Sequence, residues 1–551
     1  MKARVTLLLA ALAVACGKDG GEGILPSSAP SVPQNVQLHS ATETSLTFQW
    51  GLVDGASSYG WQLLLEGVEC QAGSVSTRNV TIKGLSKGTA YTFSVCAKGA
   101  GGVSADSAAI EGKTEGVAPP PGGIRVCVDA PLVLELDSPP VLGTSGQVRI
   151  FRSDGTQVDL IDLADIATVN VREDGVMVPK EQLVNPSASS STFLDALPSG
   201  GKSRVVSYTP FYIKGNCLEI RPHCAALDFD TAYYVTVDAA VCGKAVAAGE
   251  WTFTTSAAPS VQSLRVAADG SADFCTLQRA LSYAADGATI TLAPGTYPEL
   301  LYLRDRKNLT VRGDARDAVR IAYPNSETYM NGSSARCLWL VENCDNLVLE
   351  HLTIENTFGN PKGQAECLYF NSGSNAHRLT IADCALLSWQ DTFLCKGEVW
   401  VHDSLVAGHC DFIWGYPKAC LFEACEIRSR AAGYMVQARV PSASDKGFVF
   451  LNCHLTAESG VKDGSMYLAR SAGQADCFDN VTFVNCDMSP VIAPVGWYAS
   501  LAPNPSTPTA TAGWKEYGTT GAGASSRNSY GKALTAQEAE AYSSKAAVLG
   551  W

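Results

Sequence analysis

The chain has 551 residues, 46% of them hydrophobic and 17% charged, enough apolar surface for several cores and too little charge for bulk disorder. Its 41 Lys+Arg against 54 Asp+Glu leave a formal charge of −13, the wrong sign for a protein that tracks nucleic-acid phosphates. After the N-terminal segment no apolar run reaches the roughly 20 residues needed to cross a bilayer, and 50 glycines favour strands and turns.

Residues 1–15 join a short basic start (Lys2, Arg4) to an apolar run and small residues before Cys16, the layout of a secretory signal. Ending in Leu12-Ala13-Val14-Ala15-Cys16, the segment resembles a bacterial lipoprotein signal, which implies that Cys16 carries the lipid. Residues 16–30 are Gly/Ser/Pro-rich and read as a flexible tether. The expectation is an exported protein, an outer-membrane or cell-surface lipoprotein of a Gram-negative-type envelope, touching the membrane through its lipid alone.

Residues 31–115 read as a small antiparallel sandwich, with alternating runs such as SLTFQW and AYTFSV between turn residues. The Pro33 start, Trp50 and the Leu85…Tyr91 run resemble a fibronectin type III module. A linker with Pro119, Pro120 and Pro121 follows. Residues 122–258 form a second β-rich segment whose closing strands, TAYYVTV and WTFTTS, resemble those of bacterial Ig-like domains. Neither segment carries a catalytic spacing of His, Asp or Glu. Spacing and presentation are the expected roles, with glycan binding as the alternative.

Over residues 261–551 the pattern changes to short strands that recur. Taking Thr357, Cys384, Ser404, Cys425, Cys453 and Cys486 as equivalent positions gives intervals of 27, 20, 21, 28 and 33. A basic rung near 20 with loop insertions fits a right-handed parallel β-helix, so the fold class is all-β, with two sandwiches ahead of the solenoid. The helix-like TLQRALSYAADGA supplies the N-terminal cap such a stack requires. Of the 18 cysteines beyond Cys16, those inside apolar strands read as small buried hydrophobes. No CxxC pair suggests a metal site.

The chemistry concentrates in SWQDTF and HCDFIWG, where Asp391 and Asp411 lie one rung apart (411 − 391 = 20). On adjacent coils their side chains share a face at the strand spacing of about 4.8 Å. Two like charges that close push one carboxyl toward its protonated form, giving one acid and one nucleophile. Gln390 adjoins Asp391, and Gln364 lies one expanded rung earlier (390 − 364 = 26); their amide groups suit an oxyanion.

These motifs make the segment resemble the pectin methylesterases among parallel β-helix carbohydrate esterases. GTYPE (Gly295 to Glu299) matches the family's Gly-x-Tyr-x-Glu, QAECL (Gln364 to Leu368) its Gln-Ala-Val-Ala-Leu, QDTF its Gln-Asp-Thr-Leu, and DFIWG its Asp-Phe-Ile-Phe-Gly. The resemblance implies Asp411 as nucleophile, Asp391 as general acid and then base, and Gln364 with Gln390 as the oxyanion hole. Leu-Gly-Arg-Pro-Trp becomes LARSA, which keeps Arg470 to orient Asp411 and replaces a sugar-binding Trp by Ala472. Trp389, Trp414, Trp497 and Tyr297 are the candidate substrate-contacting aromatics. The implied substrate is methyl-esterified homogalacturonan, hydrolysed by a monomeric catalytic domain without cofactor or metal. The alternatives are an esterase of another acylated uronate polysaccharide, or a non-catalytic surface protein that binds glycan.

Overall fold

The computed structural model describes residues 29–42, 45–65, 68–83, 85, 89–114, 125–171, 177–179, 191–359, 363–374 and 376–551. The signal segment, Cys16, nearly all of the tether and the three linker prolines lie outside them. The chain divides into two compact units, residues 1–116 and 117–551. No helix among the described residues is long and apolar enough to cross a membrane.

The first unit packs two antiparallel sheets. One orders Gln37–Ala41, Ser45–Gln49 and Asn79–Lys83; the other is built around Ala56–Leu65 and Ala90–Gly99. Alternation selects the core: Leu46 and Phe48 point inward from Ser45–Gln49 while their neighbours stay half exposed. Phe48 stacks on Phe93 with ring centres 4.0 Å apart, and Trp50 meets Tyr59 edge-on at 5.3 Å.

The second unit begins with a five-stranded sheet that includes Gln147–Arg152, Ala232–Val237 and Thr252–Thr255, and a three-stranded sheet through Cys217–Ile220. Tyr233, Trp251 and Phe253 are buried in it. From Ser263–Val266 to Gly531–Ala533 the chain then winds 23 strands into one continuous sheet whose pairs are parallel. This is a parallel β-helix: Thr289–Leu292 pairs with Thr310–Gly313, which pairs with Leu347–Glu350 on the next coil. Helix Leu277–Tyr283, its first turn capped by the Thr276 hydroxyl, buries Leu277, Ala280 and Leu281 at the start of the stack.

The β-helix and the preceding sheets share one core, and polar contacts lock them together. Arg204, on the hairpin strand Lys202–Ser207, is 6% exposed. Its terminal nitrogens donate to the carbonyls of Leu301, Leu338, Ala335 and Cys337 at 2.5–3.1 Å. Asp129 accepts the amides of Cys275 and Thr276 and the Thr276 hydroxyl, just ahead of the capping helix.

Register corrects one position in the repeat. Cys384, Ser404, Cys425, Cys453 and Cys486 do share a column, set by the pairs Ala385↔Leu405, Leu405↔Glu426, Glu426↔His454 and His454↔Asp487. Thr357 is outside it: Thr353 pairs with Ala385, so Leu352 occupies the equivalent place. Each member follows a residue with positive φ, from His351 through Asp383, Asp403, Ala424 and Asn452 to Asn485, where the coil turns its corner. The four cysteines are fully buried, and their thiols donate to backbone carbonyls of their own and the preceding coil.

Candidate active site

Asp391 and Asp411 are directly opposite on neighbouring coils. The pairs Gln390↔Cys410 and Phe393↔Ile413 bracket them with the same offset of 20, and the Asp391 amide donates to the Cys410 carbonyl at 3.0 Å. Both adopt left-handed backbone, φ 65° and 47°, a conformation Asp tolerates better than most residues. Gln364 is in register with Gln390, which places one amide on the coil that carries Asp391 and the other on the coil before it. On each side of this step the stack is irregular: Gln364↔Gln390 and Leu368↔Phe393 differ by one residue, and bulges interrupt the pairing at Gly408, Cys410 and Ile413. Bulges re-aim side chains at the rim of a cleft. Gly433 allows the extra residues to press in, since a Cβ there would collide with the His409 carbonyl.

Different partners distinguish the two carboxyls. Asp411, 4% exposed, accepts Arg470 Nε on Oδ1 at 2.7 Å, Arg470 Nη2 on Oδ2 and Gln437 Nε2 on Oδ2 at 3.0 Å. A two-pronged guanidinium contact fixes the carboxylate plane as well as its charge. Arg439 in turn donates to Gln437 Oε1 through Nε and Nη2, at 3.1 and 2.6 Å. Asp391, 3% exposed, accepts Arg336 Nη2 on Oδ2 at 3.0 Å. Burial, the neighbouring Glu366 carboxyl and Asp411 hold Asp391 well above the usual carboxylate range, against the pull of Arg336 and Arg439. The arrangement therefore offers a fixed anionic oxygen beside a buried acid that can donate and recover a proton.

The proposed aromatic contacts separate into two groups. Trp389 is half buried, with the Arg430 guanidinium 4.3 Å from its ring centre; Trp414 is 7% exposed, with Arg439 at 5.0 Å. Both border the aspartate pair. Trp497 and Tyr297 do not, and as substrate contacts they are corrected. Trp497 is 1% exposed and stacks on Trp514 inside the solenoid. Tyr297, also 1% exposed, donates its hydroxyl to the Ala293 carbonyl at 2.7 Å, in the first coils. Strand side chains alternate faces, and in the Trp497-Tyr498 pair it is Tyr498 that aligns with Arg470 and joins Tyr434 and Tyr467 beside it. The Arg470 guanidinium lies 4.7 Å from the Tyr434 ring centre.

Sequence reasoning missed Arg336, Glu366, Gln437 and Arg439. A signal existed for Gln437, which pairs with Trp414 on the next coil, though at an offset of 23 after the bulges. Elsewhere, Cys127, Asp129 and Cys275 bring metal-ligating atoms within 4.8 Å of one another. Asp129 is occupied there by two amides and a hydroxyl, and the Cys127 thiol by the Gly270 and Ala272 carbonyls, so the cluster works as a helix cap.

A family model described as Pectinesterase matches residues 263–550, and one for the fibronectin type III domain matches residues 31–113. Pectinesterase 31 of Arabidopsis thaliana is 30% identical over 251 residues, covering 43% of this chain and 76% of that protein. Probable pectinesterase A of Aspergillus niger is 29% identical over 254 residues, covering 44% and 73%. Among solved structures, the pectin methylesterase of Aspergillus niger is similar at 27% identity, covering 53% of this chain and 95% of that one, with a TM-score of 0.44.

Proposed function

The chain belongs to the pectinesterase family, and from that premise we propose that its β-helix hydrolyses methyl esters of galacturonate units in pectin to free carboxylates and methanol. The observation that carries this reading is the pairing of Asp391 and Asp411 across one coil step with unlike partners.

Asp411, held by Arg470 and Gln437, attacks the ester carbonyl carbon. The carbonyl oxygen becomes an oxyanion that the Gln364 and Gln390 amides stabilise. Collapse breaks the bond to the methoxy oxygen, which leaves as methanol with the Asp391 proton. A water then gives one proton to Asp391 and its hydroxyl to the acyl carbon, releasing galacturonate and restoring Asp411. The bound uronate chain runs past Trp389 and Trp414, with Tyr434, Tyr467 and Tyr498 supplying aromatic surface where LARSA lacks the family's Trp.

The test is methanol release from methyl-esterified pectin by the full chain and by Asp411→Asn, which suits the left-handed backbone better than Ala. Turnover in the wild type that disappears in the variant, with thermal unfolding unchanged, is expected. No methanol from the wild type, or an active variant, defeats the proposal. The N-terminal residues support a second part of the reading, that Cys16 is lipidated and anchors an exported envelope protein. Cys16→Ser then moves the protein from the membrane fraction to the soluble one; retention on the membrane refutes that anchor.

A further inference from the structure

Arg336 is the last residue of a short helix, Ser333–Arg336, in the excursion between strands Val319–Tyr323 and Trp339–Glu342. It is 5% exposed, and all five of its N–H donors have an acceptor. Nε and Nη2 form a fork on Glu366, at 2.9 and 2.7 Å. Nη2 also reaches Asp391 at 3.0 Å, while Nη1 reaches Glu327 Oε2 at 2.7 Å and Gln364 Oε1 at 2.9 Å. Glu366 is 0% exposed, and it stands where the motif that QAECL resembles has Val.

One guanidinium thus faces two buried carboxyls, Glu366 and Asp391, together with the half-buried Glu327, and carries a single positive charge among them. The fork belongs to Glu366, and a single N–H goes to Asp391. Burial raises both carboxyls, and Arg336 opposes it at both. The other charged groups about Asp391 are Asp411 and Arg439 from the following coils, Glu327 through Arg336, and Arg470 through Asp411.

Building on the esterase reading, we propose that Glu366 is a positioning residue for the reaction: by claiming Arg336 through a two-pronged ion pair, it leaves Asp391 with its proton and Gln364 with its NH2 turned to the oxyanion. The second effect follows from the same guanidinium. Arg336 occupies Gln364 Oε1, so the amide nitrogen is the end left to donate. A Val at 366 would leave Arg336 with Glu327 and Asp391 as its carboxyl partners, and the guanidinium would then draw the Asp391 proton away.

The full chain, Glu366→Gln and the neutral pair Arg336→Gln/Glu366→Gln are compared on methyl-esterified pectin through the pH dependence of kcat/KM, with melting curves as a check on folding. The alkaline limb reports the proton of the free enzyme's acid. Glu366→Gln moves that limb toward acid by about one to three units, the size of shift an adjacent cation produces, with Glu327 left as the only carboxylate partner of Arg336 besides Asp391. The neutral pair brings it back to the wild-type position or above. A uniform fall in rate with an unmoved limb overturns the role and leaves the esterase reading intact. A wild type that releases no methanol overturns both. If Glu366→Gln does not fold, the neutral pair decides: a limb at or above that of the wild type supports the assignment, and one displaced toward acid overturns it.

Discussion

In the first sandwich Phe48, Phe93 and Trp50 close a core that belongs to residues 1–116 alone, whereas in the second Tyr233, Trp251 and Phe253 belong to the same core as the β-helix. The two segments read alike as sequence, alternating strands rich in aromatics. What separates them is a handful of polar anchors. Arg204 satisfies four carbonyls around the helix that ends in Arg336, and Asp129 caps the chain entering the first coils. One module is an attachment; the other is part of the scaffold that positions the site.

The most severe way to break this comparison is by deletion. Removing residues 1–116 should leave methanol release close to that of the full chain, while removing 117–258 should give an insoluble or inactive product; equal losses would erase the distinction. Phe48→Ala should destabilise the first unit by about 3–5 kcal/mol through loss of a buried ring, with turnover unchanged. Arg204→Ala removes a buried charged donor from four carbonyls, although Asn325 still donates to those of Ala335 and Cys337 and the Leu301 amide to that of Leu338, and should cost about 3 kcal/mol in the unfolding of the second unit, together with a lower kcat as the Arg336 helix loosens. A full-length variant with normal kcat would show that the anchor serves stability alone.

The smallest effect is a pH dependence confined to the second sandwich. Burial would lower the His223 pKa, but the hydrogen bond and charge of Asp159, 2.6 Å away, with Asp195 nearby, raise it from 6.5 to about 8. A raised pKa stabilises fully below pH 6.5, and that contribution is lost as the pH climbs through 8. The loss amounts to about 2 kcal/mol. His223→Gln should flatten this part of the stability curve for the second unit and leave the first unit's curve untouched.

The solenoid and its aspartate pair were legible because a 20-residue coil leaves a period in the sequence, and the cysteine column sits on it. Faces were less legible than positions: period-two alternation decides between Trp497 and Tyr498, and the dipeptide by itself does not say which one points inward. Arg336 left no trace, because it arrives on an excursion between coils. The anchors of the second sandwich were equally silent, since the partners of Arg204 are main-chain carbonyls, which every residue possesses. Gln437 and Arg439 lay within reach of the repeat, but the bulges after Gly408 shift the count by two, from 21 to 23.

The coil step between the two aspartates is a ruler cut to one length. From Arg378↔Glu398 to Gly397↔Pro417 the offset never departs from 20. Neighbouring coils take up insertions of several residues without harm, because nothing there has to be measured. Here a single added residue would turn one carboxyl to the opposite face while every strand remained paired. Length variation among related chains should therefore be absent from this one turn of the spiral and common in the turns above and below it. Grafting loops to alter the cleft is open to the designer everywhere except across this span.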